Sequence, residues 1–336
     1  MALLMTIALS AAAWALVAAA CMMVGSGRTG WPQGNLYYLR REVVLLSSLV
    51  GAALAAAGVA YQAVLRNPLA DPYLLGVSSG AALFAYLWQL PALAPLLVSL
   101  GAGGHAATQQ AAAFVGALVS VGWVLAIASR RGRLEPVTLL LVGVIINALN
   151  GSIFLLVYSL VGAQGASEGA LSLLIGGIKT LLEPQEKYAA AAVAGAGWLI
   201  LMALAGQLNA AGVGDTEAEA LGVRIHRLRW VALVVASLVT AAAVAVSGPI
   251  GFIGLVCPHV ARLLVGTDQR KLLPVATALG AALLASADAA SRKLAGNGLA
   301  QTLLPVGVLT SLLGGPFFLL LLLQSRRRAD VAEGRS

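Results

Sequence analysis

Ten apolar runs, most of them close to 20 residues long and nearly free of charge, restrict how this chain can fold. They lie at 2–24, 43–64, 73–90, 111–129, 136–160, 186–206, 230–247, 250–265, 272–290 and 303–324, the run at 250–265 being the shortest. A run of about 20 apolar residues, wound as a helix, crosses a hydrocarbon core of ~30 Å. Helices satisfy their own backbone hydrogen bonds there, as the bilayer demands. Only 10% of the 336 residues are charged, against roughly a quarter in an average soluble chain. A soluble enzyme of one or two domains is thereby excluded. The expectation is an all-α polytopic membrane protein of about ten helices, and no stretch is long and polar enough to form a separate soluble domain. Residues 1–336 are read as a single transmembrane domain.

An even number of crossings puts both termini on one side. With that side taken as cytoplasmic, 14 of the 21 Lys and Arg fall at inner helix ends, including Arg66, Arg130, Arg224, Arg229, Arg270 and Arg326. The outer ends hold Arg28, Arg40, Arg41, Lys179, Lys187, Arg292 and Lys293. The positive-inside bias therefore predicts cytoplasmic N- and C-termini. The net charge of +8 is explained by this bias and by attraction to anionic lipid, with no nucleic-acid partner needed. No Lys or Arg precedes Arg28, so the first run lacks the positive region of a signal peptide and reads as a membrane helix. Cys21 and Cys257 fall in apolar runs with no Cys or His cluster beside them and read as packing residues.

The hexapeptide "NPLADP", residues 67–72, interrupts two of the runs. Pro68 disfavours helical geometry at Asn67 and ends the preceding helix. Asp71-Pro72 is a helix-start signal, with Asp as cap and Pro at the first turn. Gly76 and Gly80 then offer the next helix a smooth face. The link is either an ordinary helical hairpin or a constriction in a transport path. Two further segments stand out. "GALSLLIGGIKTLLEP", residues 169–184, is too short to cross and too apolar to float, which suits a re-entrant or surface-lying helix. Its "GGIKT" fails as a phosphate loop because Ile178, not Gly, precedes Lys179. The inner loop at about 207–229 contains "GDTEAEALGV". There Asp215 can cap a short helix, Glu217 and Glu219 suit its positive end, Ala218 and Leu221 share an apolar spot, and Gly222 is placed to stop it. It is either a docking helix for another protein or a solvated connector.

The stretch "GAALAAAGVAYQAVLRNPLADPYLLGVSSGAAL" resembles the signature of the FecCD-type permeases, the membrane subunits of ATP-driven importers of iron-siderophores, haem and cobalamin. "GPIGFIGLVCPHVARLLVGTDQRKLLP", "ADAASR", "LPVGVLTSLLGGPFFLLLLL" and "GDTEAEALGV" extend the resemblance over nearly the whole chain. It departs where the family usually shows Arg-Leu-Pro-Arg, for which this chain has "RREV". It departs again at Leu303, where an acidic residue is usual.

The resemblance implies a type II importer fold of ten helices, working as a homodimer with two copies of an ATP-binding subunit and a periplasmic substrate-binding protein in a bacterial inner membrane. No cofactor is expected on this chain; ATP and Mg would sit on the partner ATPase. It implies a cytoplasmic gate at Asn67, Pro68 and Leu69, with Thr138 as a further gate position. Coupling to the ATPase is implied for Gly214, Asp215, Glu217, Ala218, Leu221 and Gly222. Docking of the binding protein is implied for Arg40 and Arg292, with Arg41 and Lys293 as their neighbours. An i,i+4 pair from Asp288 is expected to hold Arg292. His259 is expected to serve as a structural hydrogen-bonding residue. His226 and His105 are read as surface positions, with His105 able to meet a haem.

Two other classes compete. An ion-coupled secondary transporter would want carboxylates at mid-membrane, whereas Asp71, Glu135 and Asp288 sit near helix ends. A membrane-bound enzyme would want a His or carboxylate cluster, and the sequence offers none. Haem is the expected cargo on resemblance alone, with cobalamin or a ferric siderophore as the alternatives.

Overall fold

The computed structural model describes residues 2–25, 30–90, 105–130, 133–134, 136–161, 173–178, 182–296 and 304–332. Eleven α-helices are present among them. They are α1 (Ala2–Met23), α2 (Asn35–Leu65), α3 (Val77–Trp88), α4 (His105–Ala128), α5 (Pro136–Val161), α6 (Pro184–Val213), α7 (Asp215–Ala220), α8 (Ile225–Ser247), α9 (Ile253–Val265), α10 (Gln269–Gly296) and α11 (Val306–Ala332). Seven are long and apolar enough to cross a membrane, and α3, α9 and α11 supply three shorter apolar helices. Each of the ten expected runs thus contains one of these helices, and α7 is the extra, short one. The only strands among the described residues have two residues each, β1 (Ser129–Arg130) and β2 (Arg133–Leu134), closing the α4–α5 turn as an antiparallel pair.

Packing is organised around α2. Its run of small residues, from Gly51 to Ala60, is buried almost without exception, because small side chains let helices approach closely where lipid removes the hydrophobic drive for association. It lies against α10, α8, α9 and α6. By contrast α5 keeps a long apolar face outward, with Val137, Leu141, Val144, Leu149, Leu156 and Leu160 exposed.

Three local expectations are corrected. Residues 73–90 are not one helix. A 3₁₀ turn, Pro72–Leu75, comes first, then Gly76 with φ +79°, then α3. Gly76 is there for its left-handed backbone, while Gly80 makes the close approach, to Gly116 and Ser120 of α4. The inner loop is shorter than 207–229, since α6 runs on to Val213. In the 169–184 segment, the described part at 173–178 holds no sustained helix. Gly176 and Gly177 donate to Pro249 O and Ser247 O at 2.9 and 2.8 Å, and Gly176 O accepts from Gly307 at 2.9 Å. Lys179 lies outside the described residues.

Candidate functional site

The link between α2 and α3 forms a braced turn. Helix α2 ends at Leu65, and Arg66 follows in the left-handed region with φ 47°. Asn67 Oδ1 accepts from the Leu69 N–H at 3.0 Å, and the Ala70 N–H donates to Asn67 O at 3.1 Å. This is the Asx geometry by which Asn stabilises a chain reversal. Pro68 is exposed, while Asn67 and Leu69 are half-buried. Asp71 caps the 3₁₀ turn by accepting from the Tyr73 N–H at 2.9 Å, and it also accepts from the Phe252 N–H. Burial pushes the Asp71 carboxyl up to about 6, against the pull of those two N–H donors. Tyr73 Oη in turn accepts from the Ile250 N–H at 2.8 Å. The link is therefore fastened to the segment leading into α9.

A polar network, invisible to hydropathy, fastens the same link to α5. Asn147 Nδ2 donates to Tyr73 O at 2.9 Å, and Ser79 donates to Asn147 Oδ1 at 2.7 Å. Asn150 Nδ2 donates to Ser79 and to Ser120 of α4, at 3.1 and 2.9 Å. Gly143 sits against Leu74 O, where a Cβ would lie 2.0 Å away. Thr138 stands on the first turn of α5, half-buried.

At the inner end of α6 the loop residues are arranged differently from expectation. Gly214, not Asp215, holds the N-cap position of α7, and no side chain caps it. Asp215 is instead turned back toward the helices. Its Oδ1 pairs with Arg66 and with Arg229 Nη2, the latter at 2.9 Å. Asp215 lies 149 residues from Arg66, which is why no local motif shows the contact. Ala218 and Leu221 do not share a face. Ala218 is fully buried and is the one residue that seats α7, whereas Leu221 is 74% exposed. Gly222, with φ +81°, ends the helix as expected: its N–H donates to Glu219 O, and the Val223 N–H to Ala218 O. Glu217 and Glu219 face outward with Leu221, so the exposed surface of α7 is acidic with a single large apolar contact.

The outer-end cations are in three different situations. Arg40 Nη1 donates to Met22 O at 2.9 Å and Gly30 O at 3.2 Å, so it clamps the turn between α1 and α2. Arg41 is exposed and Lys293 half-exposed. Arg292 does form the expected pair with Asp288, at 3.1 Å, but its side chain is only 15% exposed. It lines a half-open cavity of about 290 Å³, with Asp288, Gln109, Ser247, Ala85 and Val306 among the walls. Its guanidinium faces this cavity and Asp288.

His259 has no hydrogen-bond partner at Nδ1 and packs edge-on to Phe317, with centroids 5.9 Å apart. It is a packing residue in place of the expected hydrogen-bonding one. His105 begins α4, and its side chain lies outside what is described. Cys21 and Cys257 are buried free thiols. Among the described residues no group of three His, Cys, Asp or Glu could hold a metal ion.

Known proteins resemble this chain in sequence and in fold. The chain is 40% identical over 293 residues to the cobalamin import system permease protein of Halobacterium salinarum, covering 87% of this chain and 74% of that protein. It is 39% identical over 295 residues to the hemin transport system permease protein of Yersinia pestis, covering 86% and 83%. A solved structure of a putative metal-chelate type ABC transporter, in an inward-facing conformation, superposes with a TM-score of 0.78 over 95% of this chain and 99% of that one, at 24% identity. The fold is thus that of this transporter class. Residues 1–324 match the FecCD transport family, so the chain is a multi-pass inner-membrane protein and belongs to that family.

Proposed function

We propose that this chain is the permease subunit of an ATP-binding-cassette importer that moves a metal chelate into the cytoplasm by alternating access. The observation that carries this reading is the family match over residues 1–324, supported by relatives that are themselves named as permeases for cobalamin and hemin. The geometry is in keeping with it. A braced, non-helical link, Asn67–Pro68–Leu69, follows α2, the most buried of the long apolar helices. A small helix with an exposed acidic and apolar surface stands at the same end. In this reading the link is the cytoplasmic gate and α7 is the docking element for the ATP-binding subunit. The chain itself supplies no catalysis; ATP and Mg belong to the partner.

Two copies would pair about the path, each offering the outward apolar face of α5 as contact surface. Arg41 and Lys293 remain available for a substrate-binding protein on the opposite side. The cargo is a large chelate, with haem as the first reading. Cobalamin is the second, favoured by the 40% identity to a cobalamin permease.

The test is reconstitution. The chain, the ATP-binding subunit that assembles with it and the binding protein would be placed in liposomes and offered haem, cobalamin and a ferric siderophore. ATP-dependent accumulation of haem supports the full proposal. Accumulation of another chelate corrects the cargo, and accumulation of none defeats the reading.

A further inference from the structure

We propose that Arg66 is the positioning residue through which α7 moves the Asn67–Leu69 link. This inference rests on the permease reading. Arg66 is the last residue before the link, held as the C-cap of α2 by its own N–H on Gln62 O. Its guanidinium Nη2 donates to Asp215 on α7 and, at 2.6 Å, to the Ala211 carbonyl in the last turn of α6. One side chain therefore spans the end of α2, the end of α6 and the start of α7.

Asp215 completes the connection. Its Oδ1 takes both Arg66 and Arg229 of α8, so one carboxylate neutralises one of two facing guanidinium groups. Without it the two cations would repel one another across the gap. Helix α7 has little else to fix it, since Ala218 is its one buried residue. A push on the exposed face of α7 is thus passed to Asp215 and from there to Arg66. Beyond Arg66 the chain is stiff. The Asn67 side chain is tied to the Leu69 N–H and the Ala70 N–H to Asn67 O. A displacement of Arg66 must therefore carry the turn with it.

Arg229 provides the comparison that separates transmission from anchorage. It shares the carboxylate but belongs to α8, away from the link. Arg66 and Asp215 are about two-fifths exposed, and exposed pairs contribute little to folding, so replacing Arg66 should leave the fold intact. Arg229 is only 13% exposed, and the stability measurement shows whether its variant stays folded.

The experiment compares transport per ATP hydrolysed in liposomes holding the assembled transporter, for wild type, Arg66→Gln, Arg66→Lys and Arg229→Gln, with thermal stability measured alongside. Arg66→Gln should keep the ATP-binding subunit and its hydrolysis while transport per ATP falls about tenfold, a usual size for coupling between sites. Arg66→Lys, which retains one charged donor, should recover part of the loss, and Arg229→Gln should retain the wild-type ratio. An unchanged ratio in Arg66→Gln overturns the inference, as do equal losses in Arg66→Gln and Arg229→Gln. Should Arg66→Gln fail to assemble, Asp215→Asn tests the same contact from the α7 side, and an unchanged ratio there overturns it too. If the wild-type chain bound no ATP-binding subunit at all, the permease reading would fall first, and this inference with it.

Discussion

Gly51 of α2 and Gly280 of α10 face one another with no room for a side chain on either. A Cβ built on Gly51 would lie 2.1 Å from Gly280 O, and one on Gly280 would lie 2.3 Å from Gly51 O. The obstacle is backbone on both sides and cannot turn aside. Gly280→Ala should therefore force the two helices apart and lower the thermal midpoint in detergent, with a cost of roughly 1–3 kcal/mol as for other overpacked sites. Gly195→Ala is the matched control, since nothing lies near that position on α6, and there the midpoint should hold or rise. Equal midpoints for both variants would mean that the α2–α10 contact is looser than these distances state.

Asp71 links acidity to the stability of the turn between α2 and α3. Its carboxyl titrates at about 6 in the fold, against 3.8 ordinarily, because burial disfavours the charge. The folded state thus holds the proton more tightly than the unfolded chain does. Stability must fall as pH rises from about 4 to about 6, and it must be recovered on acidification through that window. Asp71→Asn keeps an acceptor for the Tyr73 N–H and removes the charge. The variant should match wild type near pH 4 and exceed it at pH 7.5, by roughly 1–3 kcal/mol after allowance for partial exposure. Asp268 works in the opposite sense, its carboxyl held low chiefly by the Asn209 hydrogen bond. Only the difference between variant and wild type, followed across pH, isolates Asp71. A difference that does not change with pH would refute the assignment.

These two sites also indicate what can be read from the sequence. Helix number and order are legible because a membrane helix must be apolar along its whole length, whatever its neighbours are. Helix ends are not. Helix α2 begins at Asn35 and α6 continues to Val213, since a helix can run on past its apolar stretch through polar residues such as Arg40, Arg41, Gln207 and Asn209 that end a hydropathy run. Asp71 is legible as a cap because its partner, Tyr73, is two residues away. Asp215 reads as a cap too, yet its partners are Arg66 at the end of α2 and Arg229 on α8. Local grammar favours the local explanation, and a carboxylate beside a helix start looks like a cap until the fold brings a guanidinium to it. For Arg292 the Asp288 pair, which is local, can be read from the sequence, but the cavity it lines cannot, because position along a helix predicts which end of the molecule a residue occupies and not what its side chain faces.

Asn147 is expected to hold α5 to the 3₁₀ turn that follows the Asn67–Leu69 link. Its amide donates to Tyr73 O and its carbonyl accepts from Ser79. Asn147→Leu removes both bonds and leaves the Tyr73 carbonyl without that donor, for a cost of about 1–3 kcal/mol. The loss should show as a lower thermal midpoint and as faster hydrogen exchange at residues 73–79, with the α2–α10 contact unaffected. Asn147→Asp preserves the acceptor and loses the donor, so exchange at 73–79 should rise there as well. Unchanged exchange in both variants would separate α5 from the link.

Leu69 gives the direct test of the proposed gate. It is half-buried beside Asn67 in a turn braced by its own backbone. In a pair of chains this residue and its mate would close the path with an apolar plug, and narrow apolar constrictions block by excluding water. Leu69→Ala removes three carbons from each side of that plug. Liposomes holding the assembled transporter and loaded with a small fluorescent dye should leak faster with the variant than with wild type, in the absence of ATP. Folding should be little affected, because a side chain facing a path forfeits few packing contacts, whereas Leu→Ala in a packed core costs ~2–5 kcal/mol. The two readouts oppose each other. Leakage with an unchanged thermal midpoint identifies a gate; tight retention with a midpoint many degrees lower identifies a core residue, and the assignment of Asn67–Pro68–Leu69 as the closure would be withdrawn.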